Sequence, residues 1–232
     1  MRAVFCAIFA GILTVPAVAQ DLSGQEIIVT ASRVDQDDYS DFQPAIGLKR
    51  KADFLVQQVV IRGDTRDAEQ RAEEILQMLR AAIQIADKGS IELATGDYTL
   101  TKLTLNNADE VTLQRDRRPD SQRLNFLVKA PLASQSLEKA QAEIRSFIED
   151  VPEVGRAQMD EYDDATLSVV GPDQYRDAII AQINADARKQ AAGLGDDYAA
   201  ELTGLNMPVQ WTRAGPSEVL LFIPYQLKVR PR

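Results

Sequence analysis

The sequence predicts an α+β protein in which an antiparallel or mixed sheet carries about three packed helices. Two patterns in the sequence support this prediction. Apolar residues recur at three- and four-residue steps in three long segments, which is typical of helices with one buried face. Shorter segments rich in β-branched and aromatic residues outnumber these helices and often follow one another directly, which favours hairpins covered by helices on one face.

The first 19 residues have the pattern of a secretory signal peptide. Arg2 gives a positive start, residues 3–15 are almost entirely apolar, and Ala17 and Ala19 are small enough for the signal peptidase pocket. We therefore predict a signal peptide over residues 1–19, cleavage after Ala19 and a periplasmic mature protein. Because a membrane-spanning helix needs about 20 apolar residues, we expect no membrane span in the mature chain.

The composition of the mature chain excludes several classes of function. Cleavage would remove Cys6, the only cysteine, and would leave 25 basic against 35 acidic residues, a net charge of −10. This charge argues against nucleic acid or anionic lipid as a partner. The sequence has no histidine, which excludes Ser-His-Asp and Cys-His catalysis and the usual zinc sites. We assign no catalytic, cofactor-binding or metal-binding residue, and we expect a protein that is not an enzyme and has no cofactor.

Residues 20–51 are predicted to form an N-terminal strand and an acidic loop, and residues 52–232 to form one domain. The strand is Glu26–Arg33, where apolar and polar side chains alternate. Residues 34–52 are first acidic and then carry Pro44 and Gly47, which is typical of a loop.

The first predicted helix follows a strand over residues 52–61. Asp64 or Thr65 is expected to cap it, since either side chain can accept a hydrogen bond from the first turn. Its apolar face contains Ala68, Ala72, Ile75, Leu76, Leu79, Ala82, Ile83 and Ala86. Gly89 is expected to end it.

Two more helices are predicted further along the chain. The second covers Ser136–Asp150 and stops before Pro152. Asp173 is expected to cap the third, and Gly193 and Gly195 are expected to close it. The third helix carries apolar residues at four-residue steps, namely Ile179, Ile183, Ala187 and Ala191.

The remaining strands are predicted at residues 91–104, 121–130, 166–170, 207–213 and 218–230. Between the first two of these, Arg115–Asp120 is predicted to be a charged turn. Pro224 cannot donate a hydrogen bond to a neighbouring strand, so the last segment is expected to be an edge strand or to bulge there.

This order of elements resembles the SIMPL-domain family of exported bacterial proteins. The run Ile183–Ala192 is similar to the family's Ala-Arg-Lys-x-Ala segment before a glycine-containing loop, and Gly63-Asp64-Thr65 resembles its strand-to-helix junction. The resemblance covers roughly residues 25–230, with residues 34–51 as an insertion that departs from the pattern. It implies a periplasmic protein without established catalytic residues. Some members are linked to stress tolerance, and some assemble into oligomers.

Glu26–Arg33 also resembles the segment that begins the plug of TonB-dependent outer-membrane receptors. Such a receptor needs a barrel of about 22 strands with about 9–11 residues each, which a chain of 232 residues cannot supply. The chain also ends in Arg232 instead of an aromatic residue. The segment is therefore interpreted as a plain strand, with contact to a TonB-like partner as the alternative.

Four groups of residues are weighed as sites. Two acidic clusters have the oxygen ligands that Ca²⁺ prefers but lack the EF-hand spacing, so solvated loops are favoured. A basic spot could serve an anionic partner, but interleaved acids favour a charged hairpin turn. Trp211 and Tyr225 could line a pocket, although single aromatic residues in late strands are usually core. The acidic clusters are Asp35, Asp37, Asp38 and Asp41, and Asp160, Glu161, Asp163 and Asp164; the basic spot is Lys102, Arg115, Arg117 and Arg118.

Three functional hypotheses follow from these patterns. The first is a non-enzymatic periplasmic protein that acts through protein contacts, as a homo-oligomer or with an envelope protein partner, in envelope maintenance or stress response. The alternative is a binding module for a small ligand or an outer-membrane partner. A carboxylate-dependent cell-wall hydrolase ranks last, because no acid and base pair stands out by context.

Overall fold

A computed structural model describes residues 26–29, 46–96 and 99–232. The predicted signal peptide, residues 30–33 of the predicted first strand and the acidic cluster at residues 35–41 lie outside the described residues. The described residues form three α-helices and thirteen strands. The helices are α1 (Ala68–Ala86), α2 (Leu137–Asp150) and α3 (Arg176–Leu194). The strands are β1 (Glu26–Val29), β2 (Leu48–Lys51), β3 (Phe54–Gly63), β4 (Glu92–Thr95), β5 (Thr101–Lys102), β6 (Gln114–Arg115), β7 (Gln122–Pro131), β8 (Gln158–Glu161), β9 (Thr166–Val170), β10 (Tyr198–Thr203), β11 (Gln210–Arg213), β12 (Glu218–Phe222) and β13 (Gln226–Pro231).

The central sheet has the strand order β1-β9-β3-β7-β4-β5, and all of its described pairings are antiparallel. Its longest pairing joins β3 to β7 over ten residue pairs, from Phe54 opposite Pro131 to Gly63 opposite Gln122. The segment β3-α1-β4 connects two strands that have β7 between them in the sheet. The segment β7-α2-β9 likewise connects two strands that have β3 between them. This interleaving is the split βαβ arrangement of ferredoxin-like folds.

Helices α1 and α2 cover one face of the central sheet. Alternate residues of β3 and β7, such as Ile61 and Phe126, point towards them, because side chains alternate across a strand. The apolar stripe of α1, which includes Ile75 and Leu79, and that of α2, which includes Ile144, complete this core, and all five side chains are at most 2% exposed. Periodicity of 3.6 in the helices and of 2 in the strands thus places the main core between these two layers.

The opposite face of the sheet is more polar and is called the open face. It contains a small apolar group formed by Val56, Ala94 and Leu127. Beside this group, Lys129 is only 3% exposed, and its ammonium forms ion pairs with Glu26 and Glu92. The Lys129 ammonium also lies 4.0 Å from the centre of the Phe54 ring, and Ser168 donates a hydrogen bond to Glu26 at 2.5 Å. We call Glu26, Glu92, Lys129 and Ser168 the Lys129 cluster.

One edge of β3 is paired with two short strands placed end to end. β9 pairs with the first part of β3 and β8 with the last part. The buried Gln57 amide closes the gap between them by donating to the carbonyls of Tyr162 at 3.2 Å and Asp163 at 2.8 Å. Asp163 adopts a left-handed backbone with φ of 61°. The edge strand is therefore interrupted between β8 and β9, and the Gln57 side chain satisfies the backbone carbonyls at the interruption.

The C-terminal third adds α3 and two small sheets. β10 and β13 form a two-stranded ribbon, which packs against α3, and β11, β12 and β2 form a three-stranded sheet. Ile179 and Ile183 of α3 are fully buried and join the main core. Trp211 and Tyr225 are partly buried against the same core, as the sequence favoured.

The predicted α+β class, with three helices and a mainly antiparallel sheet, is confirmed. The strand at Glu26–Val29 is also confirmed for its described part. Three predictions about loops and strands are wrong. The segment 91–104 contains two strands, β4 and β5, which pair antiparallel with each other. Residues 48–51 belong to β2 rather than to a loop, because they pair with β12. The segment 218–230 is two strands in different sheets, and the chain leaves the strand conformation at residues 223–225, around Pro224.

The predicted cap of α1 is wrong. Asp67 caps this helix, since its Oδ1 accepts a hydrogen bond from the backbone N–H of Gln70 at 2.8 Å. Asp64 and Thr65 precede the helix and bond elsewhere. Several capping residues in succession cannot be ranked by sequence, because the tertiary contacts of each decide which one is available.

The predicted cap of α3 is also wrong. Asp173 lies in a short 3₁₀ turn, Pro172–Tyr175, and α3 begins only at Arg176. The Asp173 carboxylate instead accepts a hydrogen bond from the backbone N–H of Val209 at 3.4 Å. The second helix is present as predicted to within one residue, and it is capped by Ser136, whose hydroxyl accepts a hydrogen bond from the N–H of Lys139 at 3.3 Å.

Candidate anion-binding site

The register of the central sheet brings three distant segments together at one end of β3. Arg62 lies opposite Arg123 of β7 on one side and Gln158 of β8 on the other. The end of β3, the turn before β7 and the loop before β8 therefore meet at this end of the sheet. Residues 62–64, 116–121 and 155–158 line a cavity of about 660 Å³ there.

This cavity, which we call the arginine groove, is positively charged within an acidic chain. Four arginines and two aspartates line it, which leaves a local charge of +2 in a chain of net charge −9. Converging guanidinium groups attract anions and can hold carboxylates or phosphates with paired hydrogen bonds. The groove is lined by Arg62, Gly63, Asp64, Asp116, Arg117, Arg118, Ser121, Gly155, Arg156 and Gln158.

Two of the four arginines are held by aspartates of the groove. Arg156 pairs with Asp64 through two hydrogen bonds, from Nε to Oδ1 at 2.7 Å and from Nη2 to Oδ2 at 3.0 Å. Arg62 lies 3.6 Å from Asp116 and 3.3 Å from Asp160. Each of these arginine side chains keeps a third or more of its surface exposed, so their remaining N–H donors stay accessible from solvent.

The other two arginines, Arg117 and Arg118, are exposed and form no ion pair with any described residue. They lie in the turn between β6 and β7, which is closed by backbone hydrogen bonds between Asp116 and Ser121 and from Ser121 to the Arg118 carbonyl. The turn thus fixes the backbone while both guanidinium groups remain free. These two side chains provide the positive charge that the groove does not neutralise itself.

The floor of the groove depends on Gly155. Its backbone is left-handed, with φ of 58°, and a Cβ atom there would stand 2.3 Å from the Cδ of Glu74. Only glycine combines this conformation with such a close approach. The Glu74 carboxylate accepts hydrogen bonds from the Thr65 hydroxyl at 2.5 Å, the Gln70 amide at 3.0 Å and the backbone N–H of Arg156 at 3.2 Å.

These bonds lower the pKa of Glu74. The hydrogen bond from the Thr65 hydroxyl has the largest effect, and the bonds from the Arg156 backbone and the Gln70 amide lower the pKa further. Because the folded protein favours the ionised form of Glu74, this carboxylate contributes to the free energy of unfolding when the pH is above the ordinary pKa of a glutamate. The contribution is lost as the pH falls through the lowered pKa. Glu74 therefore holds the loop that carries Arg156 through a charged acceptor.

Two further arginines support the groove from beside it. Arg71 is 6% exposed and donates to the Thr65 carbonyl at 2.6 Å and to the Gln122 side chain at 3.0 Å. Arg123 lies with Arg62 over the Tyr162 ring, each 5.9 Å from its centre. The buried Nε of Arg123 has no hydrogen-bond partner within the described chain. Arg71 acts in the scaffold, whereas Arg123 adds positive charge next to the groove.

A second cavity of about 490 Å³ lies on the open face, between β7 and the segment 95–114. Its side chains are mostly amides and hydroxyls, including Gln58, Gln114 and Asn125, and the Asn125 Oδ1 is buried without a partner among the described residues. This cavity lacks cationic residues in its lining. Its lining also includes Glu110, so this cavity, unlike the arginine groove, does not attract anions, and its amides and hydroxyls can bind ordered water.

The structure divides the predicted basic spot. Arg117 and Arg118 line the groove, whereas Arg115 pairs with Gln122 in β6 and Lys102 lies in β5 at the sheet edge, and neither lines it. The expected charged hairpin turn is present, since β6 and β7 are antiparallel neighbours joined by residues 116–121. The anionic-partner interpretation and the hairpin-turn interpretation thus describe the same segment.

The acidic cluster at residues 160–164 does not place its carboxylates where they could share one metal ion. Asp160 pairs with Arg62, and Asp163 uses its backbone carbonyl to bond Gln57. Within residues 26–29, 46–96 and 99–232, no group of three acidic, cysteine or histidine side chains could hold a metal ion.

Arg62 and Arg156 were not predicted as site residues from the sequence. They come from strands and loops that are 94 positions apart along the chain, and only the pairing of β3 with β8 brings them together. A weak sequence feature was present, because each arginine is adjacent to a glycine, Gly63 or Gly155, that allows close packing. Arginine-glycine pairs are too common to identify a site without the strand register.

None of the helices in the described part of the chain combines the length and the apolarity needed to cross a membrane.

Comparisons with known proteins give little guidance. No family model and no curated protein matches this chain. Among solved structures, a hydrolase from Listeria innocua aligns with 9% identity and a TM-score of 0.18, and an uncharacterized conserved protein from the same organism with 13% identity and a TM-score of 0.15. Each alignment covers 82% of this chain and 97% of the other. At these TM-scores, neither likeness bears on the fold or on the function.

Proposed function

We propose that this chain is an exported, non-enzymatic binding protein of the periplasm whose arginine groove takes a small anionic ligand. The single observation that carries the proposal is the convergence of four guanidinium groups around a cavity of about 660 Å³ in a chain of net charge −9. A positive groove on a negative protein concentrates small anions locally, while the overall charge repels extended polyanions. Export and the SIMPL-like family are parts of the proposal that rest on sequence alone.

The geometry favours binding over catalysis. The groove offers hydrogen-bond donors and two carboxylates that are already committed to arginines. The Asp116 carboxylate accepts a hydrogen bond from the Ser121 hydroxyl at 3.4 Å, and both aspartates of the lining are paired with arginines. The absence of histidine from the whole sequence removes the commonest general base near neutral pH. A cavity of this volume suits a small molecule, since ligand sites commonly measure about 300–1,000 Å³.

The proposal is tested by isothermal titration calorimetry of the purified protein in low-salt buffer, with inorganic pyrophosphate and citrate as probes. We expect saturable binding of at least one probe. Replacing both free arginines, as in Arg117→Ala/Arg118→Ala, should weaken binding about tenfold, because two charge-assisted hydrogen bonds are lost. The melting temperature should stay close to that of the wild type, since both side chains are exposed and outside described ion pairs.

The matched control is Arg188→Ala/Lys189→Ala, which removes the same charge from exposed positions on α3. It should leave probe binding nearly unchanged. Equal weakening in the control and in the groove variant would show a general charge effect and would contradict a defined site. Absence of binding for both probes at millimolar concentration would also contradict the proposal.

Assembly through protein contacts is a second candidate function, favoured by the ribbon of β10 and β13. Neither strand pairs with any described strand on its outer edge. Unpaired edges of six-residue strands can accept a strand from another chain. We propose a second copy of this chain as that partner, in line with the homo-oligomer expected from the sequence.

The mass in solution tests this second candidate directly. Size-exclusion chromatography with light scattering should give a discrete multiple of the protomer mass. A monomer at every concentration tested would contradict assembly through the ribbon, and it would leave the anion-binding proposal unaffected.

A further inference from the structure

The two aspartates of the arginine groove occupy the positions that an anionic ligand would need. Asp64 takes two N–H donors of Arg156, at 2.7 and 3.0 Å, in the paired geometry by which arginine recognises a carboxylate. Asp116 lies 3.6 Å from Arg62 on the other side of the same cavity. Both carboxylates belong to the cavity lining, and both are attached to the chain at segments that the sheet holds in place.

We propose that Asp64 and Asp116 act as resident competitors, which a ligand with two anionic groups displaces when it binds in the groove. This inference rests on the proposed function and adds the chemical class of the ligand and the means by which its affinity is set. One anionic group of the ligand replaces Asp64 on Arg156. The other replaces Asp116 beside Arg62, which keeps its pair with Asp160 at 3.3 Å. The free guanidinium groups of Arg117 and Arg118 supply the charge that makes the exchange favourable.

The exposure of the Asp64–Arg156 pair supports displacement. The Asp116 side chain is 14% exposed and also accepts a hydrogen bond from the Ser121 hydroxyl at 3.4 Å, so its displacement costs more. The side chain of Arg156 is 66% exposed and that of Asp64 is 37% exposed, so the carboxylate can leave Arg156 and be hydrated at low cost. Ion pairs with this exposure contribute about 0.2–1 kcal/mol, which a ligand making the same contact can replace. The Lys129 cluster has the opposite property, because its ammonium is 3% exposed and loss of a partner would leave a buried charge.

A ligand with a single anionic group gains less from the exchange. Such a ligand would displace one aspartate, and the other arginine would stay paired with its aspartate. We therefore expect pyrophosphate and citrate, each with several anionic oxygens at separate positions, to bind more tightly than acetate. The groove would then select for the number of anionic groups rather than for phosphate or carboxylate as such.

The test is the affinity of Asp64→Asn and Asp116→Asn for pyrophosphate, measured by titration calorimetry beside the wild type. Asparagine keeps the side-chain shape but pairs weakly with a guanidinium, so each variant should bind pyrophosphate about fivefold more tightly. Asp120→Asn is the control for charge alone, because Asp120 lies exposed in the same turn but does not line the groove. It should increase affinity less than twofold.

The outcomes separate this inference from the proposed function. Tighter binding by Asp64→Asn and Asp116→Asn than by Asp120→Asn supports resident competition. Wild-type binding with equal affinities in all three variants overturns the competition and leaves the anion-binding function standing. Absence of binding in the wild type and in both groove variants overturns the function and the inference together. Thermal unfolding of each variant confirms that the compared proteins are folded.

Discussion

The Lys129 cluster and the arginine groove lie at opposite ends of the same strand pair. Lys129 and Arg123 are six residues apart on β7, about 20 Å along an extended strand, and both occupy the open face. At one end, a single buried cation meets two carboxylates. At the other, four cations meet two aspartates in the lining of an open cavity. The same face of one sheet thus carries a neutralised charge and an unneutralised one.

This difference separates a structural role from a binding role. A buried ammonium must be paired, because an isolated charge in a low-dielectric interior is costly. Lys129 therefore holds β1, β4 and β7 together through its partners Glu26 and Glu92. The groove arginines keep exposed donors and a net positive charge, which stabilise the fold little and leave capacity for a ligand. Charge balance and burial together distinguish the two sites where residue type alone does not.

The largest expected effect comes from breaking the buried cluster. Lys129→Ala should lower the free energy of unfolding by about 3 kcal/mol, because Glu26 and Glu92 lose their buried counter-charge. Urea denaturation followed by circular dichroism measures the loss. Pyrophosphate affinity of the folded variant should remain that of the wild type, since Lys129 does not line the groove.

Lys189→Ala is the control for Lys129→Ala. Lys189 is exposed on α3, and its removal should change stability by less than about 0.5 kcal/mol. A similar small loss for Lys129→Ala would mean that its ion pairs contribute no more than surface pairs. The comparison between the two sites would then fail.

A smaller effect is expected at Gly155, which connects stability to the groove. Gly155→Ala should lower the free energy of unfolding by about 2 kcal/mol, because it imposes a left-handed conformation on alanine and pushes a methyl group against Glu74. It should also weaken pyrophosphate binding, since Glu74 holds the backbone of Arg156. Denaturation and titration of the same preparation measure both losses.

Gly193→Ala provides the matched control for Gly155→Ala. Gly193 lies in α3 with no atom within 4 Å of the added methyl group, so alanine should stabilise the helix by about 0.5 kcal/mol. Binding should not change. A Gly155→Ala protein that loses stability but keeps full affinity would show that the loop position of Arg156 does not depend on Glu74.

The sequence was sufficient to predict the layers of this fold but not all of its connections. The apolar stripes of α1 and α2 determine which helix faces are buried. Those faces are buried as predicted over most of their length, although Ala68 at the start of α1 is exposed and Met78 is buried without having been predicted. Strand β8, with the sequence Gln-Met-Asp-Glu, was missed because its one buried apolar residue, Met159, gives no alternation to detect. β10 was missed for a related reason, since it is largely exposed and depends on pairing with β13.

The candidate site was predictable only in part. The turn with Arg117 and Arg118 is a local feature, so the sequence predicted a charged turn there, with a basic spot for an anionic partner as the less favoured interpretation. Arg62 and Arg156 enter the site through strand register, which depends on long-range pairing and is not encoded in local periodicity. The burial of Lys129 was equally hidden, because a lysine within a strand normally indicates a solvent-exposed position.

The broken edge beside β3 also has a consequence for solubility. A continuous, flat edge strand would offer a long row of unpaired amides to a neighbouring molecule and could seed aggregates. Here Gln57 and the left-handed Asp163 divide that edge, and β1 covers the part formed by β9. The part formed by β8 is only four residues long and carries Asp160 and Glu161. Short length and negative charge together disfavour sheet-to-sheet association at this edge.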